Sequence, residues 1–479
     1  MIEQMEPKLL WQHFAKMSAI PRPSKKEEAI CAFYRDYAAQ KGFGFKEDAI
    51  GNMVISVPAT KGYENAPKII LQGHVDMVCQ KGDSSNHDFD NDPIELQVKG
   101  EWLHANDTTL GADNGVGVAA SIAIIEDETA EHGPIEVLLT VDEEQGMGGV
   151  HNIAPNWLEG EYLINLDSEK EGVCTVGCAG GIDIQITKEL NYDSEARGVF
   201  YEVIVDGLKG GHSGIDIHKE LGNGSALLAE VLANFAHTSA VRLASFEGGT
   251  LRNAITRSAK AVVAIHEAHK AEFEAHLIES GKALKARLKG ADDNVAVSFK
   301  LVDARATQDA ESSQLCLNLL LLLPSGVIRK SVELPIVETS CNLGVVVINE
   351  KKGLRVELLA RSVTNGGLEI IKTRAKALAI MSDAFMEASN GYPAWQPNLE
   401  SVPLKVLLDV YKAQTGEEMK VSVIHAGLET GLLGEKYPNL QMVSFGPTIK
   451  GAHSPDERVN IPSVERFYAL LKSLLKELK

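Results

Sequence analysis

The residues best suited to chemistry are imidazoles and carboxylates that come directly after short apolar runs. His74 and Asp76 follow the run at residues 68–72, whose length and β-branched content predict a buried strand. Ligands of open α/β sheets bind beyond the carboxyl ends of the strands. A His-x-Asp triplet is common by chance, so this pair alone does not define a site.

Later stretches repeat this layout. Three carboxylates, Asp142, Glu143 and Glu144, follow the apolar run at residues 134–141. Another carboxylate follows the run at 161–166, and a histidine lies in the loop after 440–445. A further aspartate precedes the helix-like run at 116–125. This repetition predicts that the side chains converge at one edge of the main sheet. They are His74, Asp113, Glu143, Glu144, Asp167 and His453.

Two imidazoles and several carboxylates are the ligands that zinc takes in catalytic sites. A bridging carboxylate holds two ions about 3.5–4 Å apart, which suits hydrolysis. Asp113 is the candidate bridge. His74 and Asp167 would complete the ligands of one metal, and Glu144 and His453 those of the other.

The two carboxylates left over have candidate roles beside the metals. Glu143 is adjacent to Glu144, so it can face the attacking water and accept its proton. Asp76 can accept a hydrogen bond from His74 and orient its ring. Each residue taken alone also has a plainer interpretation: solvated charge for the Glu143–Glu144 pair, a helix cap for Asp113, and an ordinary loop histidine for His453.

Length and composition narrow the class of protein. The 479 residues exceed one ordinary domain, and a net charge of −19 argues against nucleic acid or an anionic membrane as the main partner. No apolar run is long enough to span a bilayer. The six cysteines suit reduced thiols, and the acidic start is not typical of a signal peptide, so we expect a cytoplasmic protein.

The pattern of elements changes along the chain. Residues 1–182 and 391–479 read as an α/β catalytic domain, and residues 183–390 read as an inserted α+β domain with helices on an antiparallel sheet. Two successive α+β rounds suggest a duplicated module within the insertion. The glycine-rich run at 177–181 predicts a turn, and residues 368–386 predict a helix.

With these residues assembled, the chain resembles the M20 metallopeptidase family. The resemblance extends from near residue 70 to near residue 456, which is most of the chain. The motifs that carry it are GHVDMV at 73–78, TTLGADNG at 108–115, EE at 143–144, NLDS at 165–168, GGHSG at 210–214, GTLRNA at 249–254, HAGLE at 425–429 and GAHSPD at 451–456.

The resemblance implies a zinc-exopeptidase-type catalytic domain, a mixed sheet flanked by helices, with an inserted α+β lid domain that also forms a homodimer. It implies two Zn²⁺ per subunit, which Co²⁺ or Mn²⁺ can replace, and a lid residue that stabilises the oxyanion in its own or the partner subunit. The residues carried over are His74, Asp113, Glu144, Asp167 and His453 as metal ligands, Glu143 as general base, Asp76 as support, His212 at the oxyanion, and Asn253, Arg361 and Gly427 at the substrate.

The activity implied is hydrolysis of small dipeptides with a free amino terminus, X-His dipeptides among them, with carnosine as a candidate. Arg361 suits capture of a free carboxylate. Thr430 departs from the family pattern, where a cysteine is expected, which bears on side-chain preference. Two alternatives stay open: an amidohydrolase of the same superfamily that acts on N-acyl amino acids, and a metal-binding scaffold without turnover.

Overall fold

The computed structural model describes residues 2–194, 196–332 and 334–479. The chain divides into two compact units. The first comprises Met1–Gly177, Trp395–Val423 and Leu428–Lys479, and the second comprises Cys178–Ala394 and Ile424–Gly427. The boundaries predicted at 182 and 391 differ from these by a few residues, and the grouping of residues 424–427 with the second unit was not predicted.

The first unit is built on an eight-stranded mixed sheet. Antiparallel pairing joins Gly44–Glu47, Met53–Val57 and Val173–Cys178 to this sheet, whereas four neighbouring strands at its centre are parallel. Their carboxyl ends therefore lie at one edge. In spatial order the strands are Gly44–Glu47, Met53–Val57, Ile135–Thr140, Ile69–His74, Tyr162–Asn165, Gln441–Ser444, Val173–Cys178 and Lys420–Ile424.

The first unit also contains helices and a smaller four-stranded sheet. The α-helices are Lys8–Ser18, Glu28–Lys41, Ala112–Glu126, Gly148–Asn152, Val402–Thr415, Glu429–Lys436 and Ile461–Glu477, with a 3₁₀ turn at Ile2–Gln4. The small sheet contains Ile449–Lys450, Arg458–Asn460, Trp102–Ala105 and Leu96–Lys99. The predicted mixed sheet flanked by helices is confirmed.

The helix Ala112–Glu126 is buried along most of its length, because its side chains are small or apolar on every face. Gly117 allows the helix to approach the sheet closely, since an added Cβ would collide with the backbone oxygen of Leu166. The Asn114 side chain donates to that oxygen at 2.7 Å. This packing fixes the helix end that carries Asp113 against the carboxyl edge of the sheet.

The second unit contains a nine-stranded antiparallel sheet. Its strands in spatial order are Ala296–Leu301, Val199–Asp206, Ala259–Ile265, Val241–Gly248, Val337–Asn349, Gly353–Ser362, Gly180–Lys188 and Phe385–Tyr392, with Gly326–Lys330 paired to Val337–Asn349. A separate ribbon pairs Gly211–His212 with Ala254–Ile255. Its helices are Gly224–Ala236, Lys270–Arg287, Ala310–Leu322 and Asn365–Met381, with 3₁₀ turns at Ile217–Lys219 and Glu267–His269.

Three details of this unit differ from the sequence-based predictions. The two α+β rounds share one sheet and one apolar core rather than forming two modules. The predicted helix over 368–386 ends at Met381, because Asp383 takes a left-handed φ of 48° and Phe385 then pairs with Thr187. Residues 177–181 do not form a turn: Gly177 and Cys178 end the strand Val173–Cys178, and Gly180 and Gly181 begin the strand Gly180–Lys188.

Within the described part of the chain, no helix combines the length and apolar content needed to cross a bilayer.

Candidate metal centre

The carboxyl edge of the parallel strands presents the side chains that the sequence singled out. His74 is the last residue of Ile69–His74, and Asp167 follows the end of Tyr162–Asn165 by two residues. Glu143 and Glu144 follow the strand Ile135–Thr140, which is the other neighbour of Ile69–His74 in the sheet. Because the strands are parallel neighbours, these side chains meet at one edge.

Asp113 lies between two imidazoles. Its Oδ1 atom is 3.2 Å from Nε2 of His74, and its Oδ2 atom is 3.1 Å from Nε2 of His453. Each oxygen of one carboxylate therefore faces a different histidine, as a bridging ligand requires. In the described part of the chain, the hydrogen bonds of the Asp113 carboxylate go to imidazole nitrogens and not to backbone N–H groups of the helix, so it does not serve as a helix cap.

Two further carboxylates complete the arrangement on either side of Asp113. Asp167 Oδ1 is 3.5 Å from His74 Nε2, and Glu144 Oε2 is 3.1 Å from His453 Nε2. Ligand atoms within 4.8 Å of one another form three groups that could hold a metal ion. The groups are His74–Asp113–Asp167, Asp113–Glu144–His453 and His74–Glu143–Glu144.

Asp76 lies behind His74 and is fully buried. Its Oδ1 atom is 3.3 Å from His74 Nδ1. The same carboxylate accepts hydrogen bonds from the backbone N–H groups of Glu143 at 3.1 Å and Glu144 at 3.2 Å, and from the Ser24 hydroxyl at 2.8 Å. Asp76 thus joins the His74 strand to the loop that carries the two glutamates.

The crowded charges shift the pKa values of the two imidazoles upward. Burial favours the neutral form of His74, but Asp167, Asp113 and Asp76 outweigh it and raise its pKa well above the usual value. Hydrogen bonds to Asp113 and Glu144 raise the pKa of His453 to about 11. The site therefore favours positive charge at the positions that the two imidazole Nε2 atoms face.

Burial also shifts the pKa values of the carboxylates at this site. Burial raises the pKa of Asp167 to about 7, and it raises the pKa of Glu143 well above its usual value, with Asp167 and other carboxylates adding to the effect. Burial acts in the same direction on Asp113, but its hydrogen bonds with His453 and His74 dominate and lower its pKa. Packing so many acids together is unfavourable unless cations neutralise them.

Sequence reasoning missed three buried charged residues that support this site. Arg22 donates to the carbonyl oxygens of Val75, Asp76 and Gly111. Glu457 accepts hydrogen bonds from four backbone N–H groups at residues 110–113. Both residues contact backbone that is distant in sequence, so no local motif marks them.

Glu429 is the third of these residues, and it lies beneath the ends of the parallel strands. Its Oε2 atom accepts from Gln72 Nε2 at 2.6 Å and from Thr140 Oγ1 at 2.7 Å. Burial raises the pKa of Glu429 to about 7. Gln72 and Thr140 belong to the strands that end near His74 and Glu143, so Glu429 links those two strands.

The remaining predicted site residues lie in the second unit. His212 pairs with Ala254 in the short ribbon, and Ser213 N–H donates to the backbone oxygen of Asn253 at 2.8 Å, so His212 and Asn253 are neighbours. Arg361 is buried and donates to the Tyr392 hydroxyl at 2.7 Å. Gly427 belongs to the same unit.

Backbone groups fix the orientation of the His212 ring. The N–H groups of Gly214 and Ile215 both donate to His212 Nδ1, at 3.2 and 3.1 Å. Because Nδ1 accepts, the neutral ring carries its proton on Nε2. Burial and the nearby Arg361 lower the pKa of His212, which favours this neutral form, and its Nε2–H is left as a donor.

Comparisons with known proteins agree with the site. A model of peptidase family M20/M25/M40 matches residues 70–477. The cytosol non-specific dipeptidase of Escherichia coli (strain K12) is 42% identical over 483 aligned positions, which cover 100% of this chain and 99% of that protein. The chain therefore belongs to the M20 peptidase family, as its motifs predicted.

Solved structures give the same result. The crystal structure of aminoacylhistidine dipeptidase from Vibrio alginolyticus superposes with a TM-score of 0.95 and 41% identity, covering 99% of this chain and 98% of that one. Aminopeptidase PepT from Bacillus cereus shares the fold, with a TM-score of 0.57, 15% identity and 99% coverage of both chains. The predicted zinc-exopeptidase-type fold is confirmed.

Proposed function

We propose that the protein is a metallo-dipeptidase that hydrolyses dipeptides with a free amino terminus, using two zinc ions per subunit. The geometry of the Asp113 carboxylate carries the proposal. Its Oδ1 atom is 3.2 Å from Nε2 of His74, and its Oδ2 atom is 3.1 Å from Nε2 of His453. Full-length identity of 42% to a non-specific dipeptidase supports the substrate class.

The side chains present fit a pair of divalent ions. Among the described residues, Asp167 Oδ1 and Glu144 Oε1 are buried atoms without a hydrogen-bond partner, as expected of oxygens that serve as metal ligands. His74, Asp113 and Asp167 would hold one ion, and Asp113, Glu144 and His453 the other. Such a pair, when bound, polarises the scissile carbonyl and acidifies the attacking water. Imidazole and carboxylate ligands suit zinc, and they accept Co²⁺ or Mn²⁺ as well.

The remaining residues at this edge move the proton. Glu143 lies in a ligand group with His74 and Glu144, and it is the carboxylate that neither of the two proposed three-residue sites uses. It takes the proton of the attacking water and returns it to the leaving amine. Asp76 contacts the N–H group of Glu143 and the ring of His74, so it fixes the position of the general base relative to a metal ligand.

Residues of the second unit have proposed roles at the substrate. His212 presents Nε2–H as a hydrogen-bond donor, which suits stabilisation of the oxyanion. Arg361 has a buried Nε atom without a hydrogen-bond partner in the part of the chain that the structure describes, which suits binding of the free carboxylate of a dipeptide. Asn253 and Gly427 are proposed to contact the substrate beside them.

We also propose that the protein is cytoplasmic and forms a homodimer through its second unit. Its exposed apolar side chains include Ile380, Met381 and Phe385, which lie close together in sequence at the end of one helix and the start of a strand. Sedimentation of the wild type and of a Met381→Asp variant tests this assembly. A monomeric wild type would contradict it.

A substrate panel tests the proposed activity. The purified protein is loaded with Zn²⁺ and assayed against X-His dipeptides, carnosine, other unblocked dipeptides and the matching N-acetyl amino acids. We expect hydrolysis of unblocked dipeptides and little hydrolysis of N-acetyl amino acids. The reverse preference would identify an amidohydrolase, and no zinc-dependent hydrolysis of either class would refute an enzymatic function.

A further inference from the structure

Glu457 is a carboxylate that is almost completely buried, with 2% of its surface exposed, and its hydrogen bonds go to backbone N–H groups. Its Oε2 atom accepts from the backbone N–H groups of Leu110 at 2.7 Å and Gly111 at 3.0 Å. Its Oε1 atom accepts from those of Ala112 at 2.8 Å and Asp113 at 3.2 Å. One side chain therefore satisfies four consecutive backbone donors.

Two of these donors, Ala112 and Asp113, lie in the first turn of the helix Ala112–Glu126, and Leu110 and Gly111 come just before it. Backbone N–H groups at a helix start have no partner within the helix. The residue just before a helix usually supplies the capping oxygen, but Gly111 occupies that position here and has no side chain. Glu457 replaces it from more than 340 positions along the chain. The backbone that presents Asp113 is thus fixed by a residue from another loop.

That other loop carries His453. Within it, Ser454 N–H donates to the Gly451 oxygen at 3.2 Å, and Glu457 N–H donates to the Ser454 oxygen at 3.0 Å. These turns tie Glu457 to His453. The carboxylate of Glu457 consequently joins the His453 loop to the Asp113 backbone, the two segments whose side chains meet at 3.1 Å.

A buried cation holds the other side of the same segment. Arg22, with 1% of its surface exposed, donates to the Gly111 oxygen at 2.7 Å and to the Val75 and Asp76 oxygens at 2.9 and 3.0 Å. The segment before Asp113 is therefore held by a carboxylate through its N–H groups and by a guanidinium through a carbonyl. Arg22 extends the connection to the residues that follow His74.

We propose that Glu457 is a positioning residue for the metal pair, which sets the distance between Asp113 and His453 by clamping their two loops together. The inference rests on the proposed two-metal site and assigns Glu457 no contact with metal or substrate. It predicts that Glu457 controls metal affinity and turnover through geometry, beyond its contribution to folding stability.

The test uses Glu457→Gln in the full-length protein, with Glu136→Gln as the matched control. Glutamine keeps the shape but replaces one accepting oxygen with an NH₂ group that faces two N–H donors. Glu136 is also a buried carboxylate in the first unit, and it accepts from the N–H groups of Glu159 and Gly160 at 2.9 and 3.2 Å. It belongs to none of the ligand groups.

Each protein is stripped of metal and titrated with Zn²⁺ by calorimetry and with Co²⁺ by visible absorption. Both variants are expected to melt at lower temperature. In Glu457→Gln, the affinity for one of the two ions should fall about 10–100-fold, as is usual when a residue supporting a ligand is lost. Its Co²⁺ spectrum should change, and kcat for an X-His dipeptide should fall while KM stays near the wild-type value. Glu136→Gln should keep both affinities and the spectrum.

A folded Glu457→Gln protein with both wild-type affinities and an unchanged Co²⁺ spectrum would overturn the inference. If that variant does not fold, Glu457→Asp decides the matter, because it keeps the charge but is one methylene shorter. Wild-type affinities for both ions in Glu457→Asp would then overturn the inference. A wild type that binds fewer than two ions would refute the proposed function together with this inference, so the two failures are distinguishable.

Discussion

Substitution of Asp113 tests whether one carboxylate serves two metal ions. Asp113→Ala removes both oxygens and leaves two protein ligands in each group: His74 with Asp167, and Glu144 with His453. Asp113→Asn keeps one oxygen, so one group retains three ligands and the other only two. We therefore expect a graded loss, from two bound ions in the wild type to one in Asp113→Asn and none in Asp113→Ala.

The size of the loss follows from the number of ligands. Loss of a residue that merely supports a ligand costs about 10–100-fold in metal affinity, so loss of a ligand should exceed about 100-fold. A factor of 100 corresponds to about 2.8 kcal/mol of binding free energy. The affinity of the ion that loses its third ligand should fall by at least this amount, and dipeptide hydrolysis should fall with it.

The assay is metal content by elemental analysis after dialysis, together with calorimetric titration of Zn²⁺. Asp127→Asn is the matched control, because Asp127 flanks the opposite end of the same helix and pairs with Lys472 at 2.7 Å. It should retain two ions. Two ions bound with wild-type affinity in Asp113→Asn would refute the bridging role.

Three further outcomes are expected. Glu143→Gln should keep two bound ions while kcat falls about 10²–10⁴-fold, the usual contribution of a general base, and near wild-type turnover would remove Glu143 from this role. His212→Ala should lower kcat about 10²–10³-fold without changing metal content, since one oxyanion donor is lost, and a parallel loss of metal would indicate a structural role. Removal of metal with a chelator should lower the melting temperature, because ions present at about 100 times their Kd stabilise the folded state by about 2.7 kcal/mol, and an unchanged melting temperature would contradict tight binding.

The site could be anticipated because its residues follow the strands that position them. His74, Glu143 and Asp167 each come at or just after the end of an apolar run, and those runs are neighbouring parallel strands. The sequence pattern shows both the strand and the point where it ends. The structure brings these residues together with Asp113 and His453. The role of Glu143 as a general base and the roles of the others as metal ligands stay predictions.

The supporting residues could not be anticipated, for a physical reason. Arg22 and Glu457 act on backbone N–H and C=O groups, which every residue carries, so their partners leave no trace in the sequence. Glu429 is the last residue of the HAGLE motif at 425–429, but its hydrogen bonds with Gln72 and Thr140 depend on strand order in the folded sheet. Such contacts become visible only when distant segments are placed in space.

Two local predictions of secondary structure were wrong, one at a glycine-rich run and one at a helix end. The prediction of a turn at residues 177–181 treated glycine as a turn former. Gly180 and Gly181 instead lie in a strand, where Tyr392 and Ala394 of the adjacent segment leave no room for a larger side chain. The sequence predicts a helix as far as residue 386 because the apolar periodicity of the helix Asn365–Met381 continues into the strand Phe385–Tyr392. Periodicity in a short overlap does not distinguish the two.

Anomalous X-ray diffraction from zinc-loaded crystals, measured at the zinc absorption edge, tests the central proposal most directly. Two peaks per subunit are expected, one between His74 and Asp167 and one between Glu144 and His453, about 3.5–4 Å apart with the Asp113 carboxylate between them. A single peak, or peaks that do not flank Asp113, would contradict the two-metal site and the mechanism built on it.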